Sequence, residues 1–265
     1  MELGLRDRVC VITGASRGIG RATATLLAAE GASLLLVGRS EEALKSVAAA
    51  CAHGDLRAQI LALDVTDADA GERIAHACLR RFGRLDALVN NAGTSSTRQL
   101  EELTDADWQQ QWDLHVMAPM RLMRAVVPIM TDRGWGRIVN VSSSSGKRPG
   151  QRNVAYSVSK AATLSLSRAF ADRYADRGVL INAITPGPVA TELWMAPGGL
   201  ADQTARARGV TREQVLRSTA AGVPVGRLGG EREIAAVIAF LCSEPASFVT
   251  GAAWSVDGGV VPVII

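Results

Sequence analysis

Short runs of apolar, often β-branched residues alternate with longer helical patterns along most of the chain, and that alternation constrains the fold more than any other feature. Residues 8–13 read as a buried strand. A Gly-rich turn follows, then an Ala/Leu-rich helix over about 19–30, which Gly31 stops as a left-handed residue would. The rhythm repeats with a strand at 33–38, a helix capped by Ser40 to about 52, a strand at 59–64 and a helix capped by Asp67 to about 82. Further strands are expected at 86–90, 137–142, 178–184 and 252–256. These strands are nearly all apolar rather than alternating, the composition of strands covered by helices on both faces. Strand–helix alternation of this kind implies βαβ units and a doubly wound parallel α/β sheet of about seven strands.

A chain of 265 residues allows one domain or two. No linker or internal repeat divides it, and the site motifs run from Thr13 to Thr191, so a single domain spanning residues 1–265 is expected. One stretch, about 192–222, is longer than an ordinary connection and reads as a substrate loop or lid, or else as a plain surface insertion. With 29 Lys+Arg against 26 Asp+Glu the chain carries no basic stripe, so nucleic acid is not expected as a partner. No apolar run approaches the ~20 residues that cross a bilayer, and the first residues lack a signal-peptide stretch. Cys10, Cys51, Cys78 and Cys242 lie far apart with no C-x-x-C pair. Neither a metal site nor a disulfide framework is expected, and a reducing cytoplasm fits.

The first strand–helix turn holds Gly14, Ser16, Arg17, Gly18, Ile19 and Gly20. Its glycines let backbone approach a ligand closely, and the helix behind offers free N–H groups and a positive dipole end. After the first strand of a βαβ series, such a turn reads as a pyrophosphate cradle, although its spacing is not G-x-G-x-x-G. A site for NAD(H) usually has an acid at the end of the second strand to accept from the ribose 2′-OH. Here Gly38 is followed by Arg39, and Arg17 lies in the Gly-rich turn. Two guanidinium groups suit a 2′-phosphate, so NADP(H) is expected over NAD(H).

Tyr156 and Lys160 are four residues apart in a helical pattern and share a face. An ammonium beside a phenol is expected to lower the phenol pKa from ~10 and make it a usable proton donor and acceptor. A serine just past the fifth strand would polarise the substrate oxygen.

Taken together, these residues resemble the short-chain dehydrogenase/reductase family, its 3-oxoacyl-carrier-protein reductase-like branch in particular. The resemblance rests on the Gly-rich turn, Asp64, the Asn90-Asn91-Ala92-Gly93 run, Ser143, Tyr156 with Lys160, and Asn182 before Pro186-Gly187. It implies a Rossmann-type fold and a hydride-transferring oxidoreductase acting on a small ketone or secondary alcohol, with a 3-oxoacyl-thioester reductase as the alternative. A non-catalytic nucleotide sensor on the same fold is the reading from another class. The resemblance implies Tyr156 as acid/base, Ser143, thirteen residues earlier, as the orienting serine, and Lys160 on the nicotinamide ribose. Asp64 and Val65 would contact the adenine, Asn91, Ala92 and Gly93 would flank the cofactor, and Pro186, Gly187, Val189 and Thr191 would cover the nicotinamide.

The family usually has an asparagine in the helix after Gly93, where it supports a water-linked proton relay; here that position falls on His115. An imidazole titrating near ~6.5 would serve the relay, or His115 is a hydrogen-bonded structural residue. His53 and His76 read as structural or exposed. Leu193, Trp194 and Met195 would close over an apolar substrate, or pack on the helices below. Lys147, Arg148 and Arg152 would favour an anionic or carrier-bound substrate, or form a solvated rim. The resemblance also implies a homotetramer, with the apolar tail 260–265 packed across a subunit contact.

Overall fold

The computed structural model describes residues 2–52 and 58–262; His53 and the last three tail residues lie outside them. The strands are β1 Val9–Thr13, β2 Ser33–Gly38, β3 Ala58–Ala62, β4 Ala87–Asn90, β5 Gly136–Val141, β6 Val179–Pro186 and β7 Ala253–Val256. The helices, in chain order, are α1 Gly18–Ala29, α2 Glu41–Cys51, α3 Ala70–Phe82, α4 Asp105–Trp112, α5 Ala118–Thr131, α6 Ser144–Lys147, α7 Val154–Tyr174, α8 Glu192–Met195, α9 Leu200–Arg208, α10 Arg212–Ala221 and α11 Glu231–Leu241. All seven strands pair in parallel in the order β3-β2-β1-β4-β5-β6-β7. Chain direction across the sheet reverses between β1 and β4, and in such sheets the ligand crevice opens at the carboxyl ends beside that switch.

The elements follow the sequence closely. Ser40 caps α2 by accepting from the Ala43 N–H, and Gly31 takes the left-handed conformation just past α1 with φ 90°. Asp67 does not cap α3: the helix starts at Ala70, and the Asp67 carbonyl accepts the Ala70 N–H in a turn before it. The five inner strands are buried on both faces, apart from single half-buried residues in β2 and β6. β3 and β7 are not, because as edge strands each has a neighbour on one side only. One core layer packs α1, α2 and α11 on one face, around Ile12, Leu27, Leu34, Leu36 and Ile238. The other packs α3 and α5 on the opposite face, around Ile74, Leu88, Leu122 and Val126. Residues 192–222 form the three short helices α8, α9 and α10. Among the described residues no helix is long and apolar enough to cross a membrane.

α7 has no strong apolar stripe, and its inner face shows why. Ser159, Thr163 and Ser167 recur every four residues and are all buried. The Ser167 hydroxyl accepts from Asn140 at 2.8 Å, and Asn140 accepts from Asn90 at 2.7 Å, so the helix docks on β4 and β5 through amides and hydroxyls. Thr163 donates at 2.8 Å to the carbonyl of His115, within a π-helical turn at Asp113–Met117. Such turns expose a carbonyl that the regular ladder would use.

Candidate active site

The Gly-rich turn is held from β4. The Thr13 hydroxyl accepts from the N–H groups of Asn91 (3.0 Å) and Ala92 (3.1 Å), and donates to the Val89 carbonyl at 3.3 Å. Asn91 returns its side-chain amide to the carbonyls of Thr13 (2.9 Å) and Gly14 (3.1 Å). Its amide therefore fixes the turn. Gly20 has no room for a side chain: a Cβ there would lie 2.2 Å from the Gly14 oxygen. Gly18 has room but adopts φ 57°, where glycine is favoured.

At the end of β5, the Ser143 hydroxyl accepts from the Ser145 N–H at 3.1 Å and hydrogen-bonds with Tyr156. Lys160 is 5 % exposed, donates to the Val141 carbonyl at 2.8 Å, and stands 5.6 Å from the centre of the Tyr156 ring. Burial pushes its ammonium down to about 7. Burial also raises the Tyr156 phenol above its ordinary value, and the Ser143 bond only partly offsets this. The expected lowering of the phenol by Lys160 is thus not present in this state. The reason is mutual: both groups are desolvated, and near neutral pH the lysine is charged in only about half the molecules.

His115 is 1 % exposed and packs edge-on against Tyr156, with ring centres 5.3 Å apart. The Ser159 hydroxyl donates to the Tyr156 carbonyl at 2.7 Å, so it accepts from His115 Nδ1 at 3.0 Å. Nε2 then accepts from the Thr94 N–H at 3.3 Å. These bonds assign a neutral imidazole with its proton on Nδ1. Burial first, and the Lys160 charge second, hold its pKa well below 6.5. The expected titration near 6.5 is corrected accordingly. His76 is exposed.

One cavity of about 630 Å³ joins these parts. Gly14, Ser16, Arg17, Gly18, Ile19, Arg39, Asp64, Val65, Asn91, Ala92, Gly93, Ser143, Tyr156, Lys160, Pro186, Gly187, Val189 and Thr191 all line it. Gly20 and His115 do not; they support it from behind. A Cβ on Gly93 would meet His115 Nε2 at 3.2 Å and Lys160 Nζ at 3.6 Å, so the glycine lets both crowd the cavity wall. Asp64 accepts from the Thr66 N–H (3.0 Å) and hydroxyl (2.8 Å), which hold it ionised below the usual carboxylate range. Leu193 and Trp194 line the cavity, while Met195 is exposed. Val260 and Val261 line the cavity of their own chain, and Asp257 accepts the Val261 N–H at 3.0 Å.

Sequence reading missed Ser95, Gln110, Leu114 and Leu200 on the cavity wall, and Ser159 behind it. Ser159 lies 44 residues from His115, and no spacing rule connects them. Thr13, directly before Gly14, carried a local signal: a hydroxyl at a strand end beside a tight turn is placed to satisfy free N–H groups.

The cavity fits a phosphorylated dinucleotide. The glycine turn opens at a helix N-terminus, β2 ends without an acid, and Arg17 and Arg39 line the same wall. Fold and site together define an NADP(H)-dependent oxidoreductase of the ketone/secondary-alcohol type.

The comparisons with known proteins carry this to a family. A family model described as enoyl-(acyl carrier protein) reductase matches residues 14–261. The chain is 34 % identical to the 3-oxoacyl-[acyl-carrier-protein] reductase FabG of Thermotoga maritima over 97 % of this chain and 99 % of that one. It is 36 % identical to the short-chain reductase protein NovJ of Streptomyces niveus, over 96 % of this chain and 94 % of the other. The L-sorbose reductase of Gluconobacter frateurii, solved with NADPH and L-sorbose, superposes with a TM-score of 0.93 at 34 % identity over the whole of both chains. The chain belongs to the short-chain dehydrogenase/reductase family, in its 3-oxoacyl-carrier-protein reductase-like branch.

Proposed function

We propose that Tyr156 is the proton donor in ketone reduction and the acceptor in the reverse direction, with Ser143 orienting the carbonyl oxygen and Lys160 holding the nicotinamide ribose. The observation that carries this is that Ser143, Tyr156 and the buried Lys160, whose ammonium stands 5.6 Å from the phenol ring centre, line the same cavity as the glycine turn. NADP(H), when bound, supplies or accepts the hydride at its nicotinamide ring. Ser143 and Tyr156 fix the substrate oxygen, and the Tyr156 hydroxyl delivers the proton to it. The cradle would be Gly14, Ser16, Gly18 and Ile19, with Gly20 supporting it from behind and Arg17 and Arg39 on the 2′-phosphate. Asp64 and Val65 meet the adenine, Asn91, Ala92 and Gly93 flank the cofactor, and Pro186, Gly187, Val189 and Thr191 cover the nicotinamide.

His115 acts as a positioning residue. Its neutral ring clamps Ser159, and through it the Tyr156 backbone, while its edge packs on the phenol ring. The chain works as one domain, with 192–222 as the substrate-covering segment. A homotetramer is supported by exposed Trp112, Val158 and Phe248, and a cytoplasmic location by four buried, unpaired cysteines.

Two variants test these roles together. Tyr156→Phe should lose NADPH-dependent ketone reduction by at least about 10²-fold while NADPH still binds, measured by quenching and enhancement of fluorescence. Parental turnover in that variant would refute the assigned role of Tyr156, whereas NADPH binding without any turnover by the parent would favour a nucleotide sensor. His115→Asn should lower kcat without moving the pH profile, since the imidazole does not titrate in the working range; a shifted profile would restore the relay. A second reading, reduction of a 3-oxoacyl thioester, is favoured by the acyl-carrier relatives. A panel of ketones, alcohols and β-keto thioesters separates the two.

A further inference from the structure

Three cations follow Ser143 in the chain, and the fold gives each a different place. Lys147, at the end of α6, donates to the Ala253 carbonyl at 2.8 Å and to the Ser255 hydroxyl at 3.0 Å, which ties α6 to β7. Arg152 is not on the cavity wall; its carbonyl accepts the Arg98 N–H at 2.9 Å and joins two loops. Arg148 lines the cavity from an exposed position at its rim. Among the described residues its side chain has no hydrogen-bond or ion-pair partner.

Its position in the cavity separates it from the cofactor cations. The Arg148 N–H donates to the Ser144 carbonyl at 2.9 Å, closing the turn that Ser143 caps. One helical turn keeps its backbone within about 8 Å of Ser143. Arg17 and Arg39 belong to the Gly-rich turn and the end of β2, on the other side of the switch point. The two acids on the wall do not answer Arg148. Asp64 is engaged by Thr66 beside Arg39, and Glu192 faces Arg21 at 3.5 Å. Ser95, Gln110 and Asn153 add hydrogen-bonding groups to the wall, and Leu114 and Trp194 add apolar surface.

We infer that Arg148 is a specificity-determining residue, and that the physiological ketone carries an anionic group, a carboxylate or a phosphoryl, a few bonds from the reacting carbonyl. This deepens the proposed ketone reduction and rests on it. A planar guanidinium matches either oxyanion with paired, charge-assisted hydrogen bonds, whereas a neutral ketone would leave it to solvent.

The test uses the full chain with NADPH and two matched pairs of ketones. One pair is 4-oxopentanoate and its methyl ester; the other is dihydroxyacetone phosphate and dihydroxyacetone. The parent should favour the anion of at least one pair in kcat/KM, and the favoured pair names the oxyanion. In Arg148→Gln that preference should shrink roughly 10- to 100-fold, and Arg148→Lys should recover part of it. A parent without preference in either pair overturns the inference and leaves ketone reduction standing. An equal loss on both members of a pair in Arg148→Gln also overturns it, since that marks a merely structural residue. Reduction of none of the four compounds, while a neutral ketone or β-keto thioester of the wider panel is turned over, also overturns the inference.

Discussion

Gly20→Ala sets two physical rules against each other. Gly20 sits inside α1, where alanine ordinarily stabilises a helix by about 1 kcal/mol relative to glycine. Here the added Cβ would lie 2.2 Å from the Gly14 oxygen and 2.5 Å from the Asn91 amide nitrogen. Comfortable contact needs about 3.5 Å, so the turn or the helix must move by about 1 Å. Overpacking of that kind costs about 1–3 kcal/mol. Displacing Asn91 also weakens its bonds to the Thr13 and Gly14 carbonyls, at about 1 kcal/mol each. After the gain in helix propensity, a net loss of about 2–4 kcal/mol remains. For a chain of this size that lowers Tm by roughly 5–15 °C. Gly18→Ala is the control. Its Cβ meets nothing nearer than 3.7 Å, and only the backbone at φ 57° is strained, worth about 1 kcal/mol. Differential scanning calorimetry of the parent and both variants, paired with an NADPH titration, gives the answer. A Gly20→Ala protein that melts at or above the parent, or above Gly18→Ala, would refute the close-approach argument.

The remaining predictions concern charge. Arg39→Asp should raise the KM for NADPH at least about tenfold and improve the use of NADH, because an acid then meets the ribose 2′-OH; unchanged selectivity in steady-state kinetics would remove Arg39 from the cofactor site. Lys160 titrates near 7 folded and near 10.5 unfolded, so between those values the unfolded chain binds the extra proton. Stability of the cofactor-free protein should therefore rise with pH across that window, by up to about 1.4 kcal/mol per pH unit, and the gain should fade as pH falls toward 7. Lys160→Met should flatten that slope in thermal melts between pH 7 and 9.5, and equal slopes would show that the lysine is not desolvated.

Much of this was legible in the chain because the signals are local. Apolar runs bounded by Gly31 and Ser40 marked strands and helix ends, since burial and capping act over a few residues. The Gly-rich turn, the absent acid after Gly38 and the spacing of Tyr156 to Lys160 named the cofactor and the reaction in the same way. Errors fell where a neighbour far along the chain decides. Asp67 looks like a cap, yet the chain turns once more before α3 begins. β3 reads as apolar, yet it is an edge strand of the sheet.

The sequence by itself therefore determined the parallel α/β architecture, the preference for NADP(H) and the chemical types at the site. Tertiary structure alone decided the states of those groups. It desolvated Lys160 and Tyr156 together, which reverses the shift that adjacency on a helix predicts for the phenol. It brought Thr94 and Ser159 to opposite edges of His115, which fixes a neutral ring where free imidazole would titrate. It also tied Lys147 to β7 while setting Arg148 on the cavity wall, although the two are adjacent in the chain. The physical reason is common to all three: residue type is written in the chain, whereas the solvent and partners that set a group's charge and freedom come from segments tens of residues away.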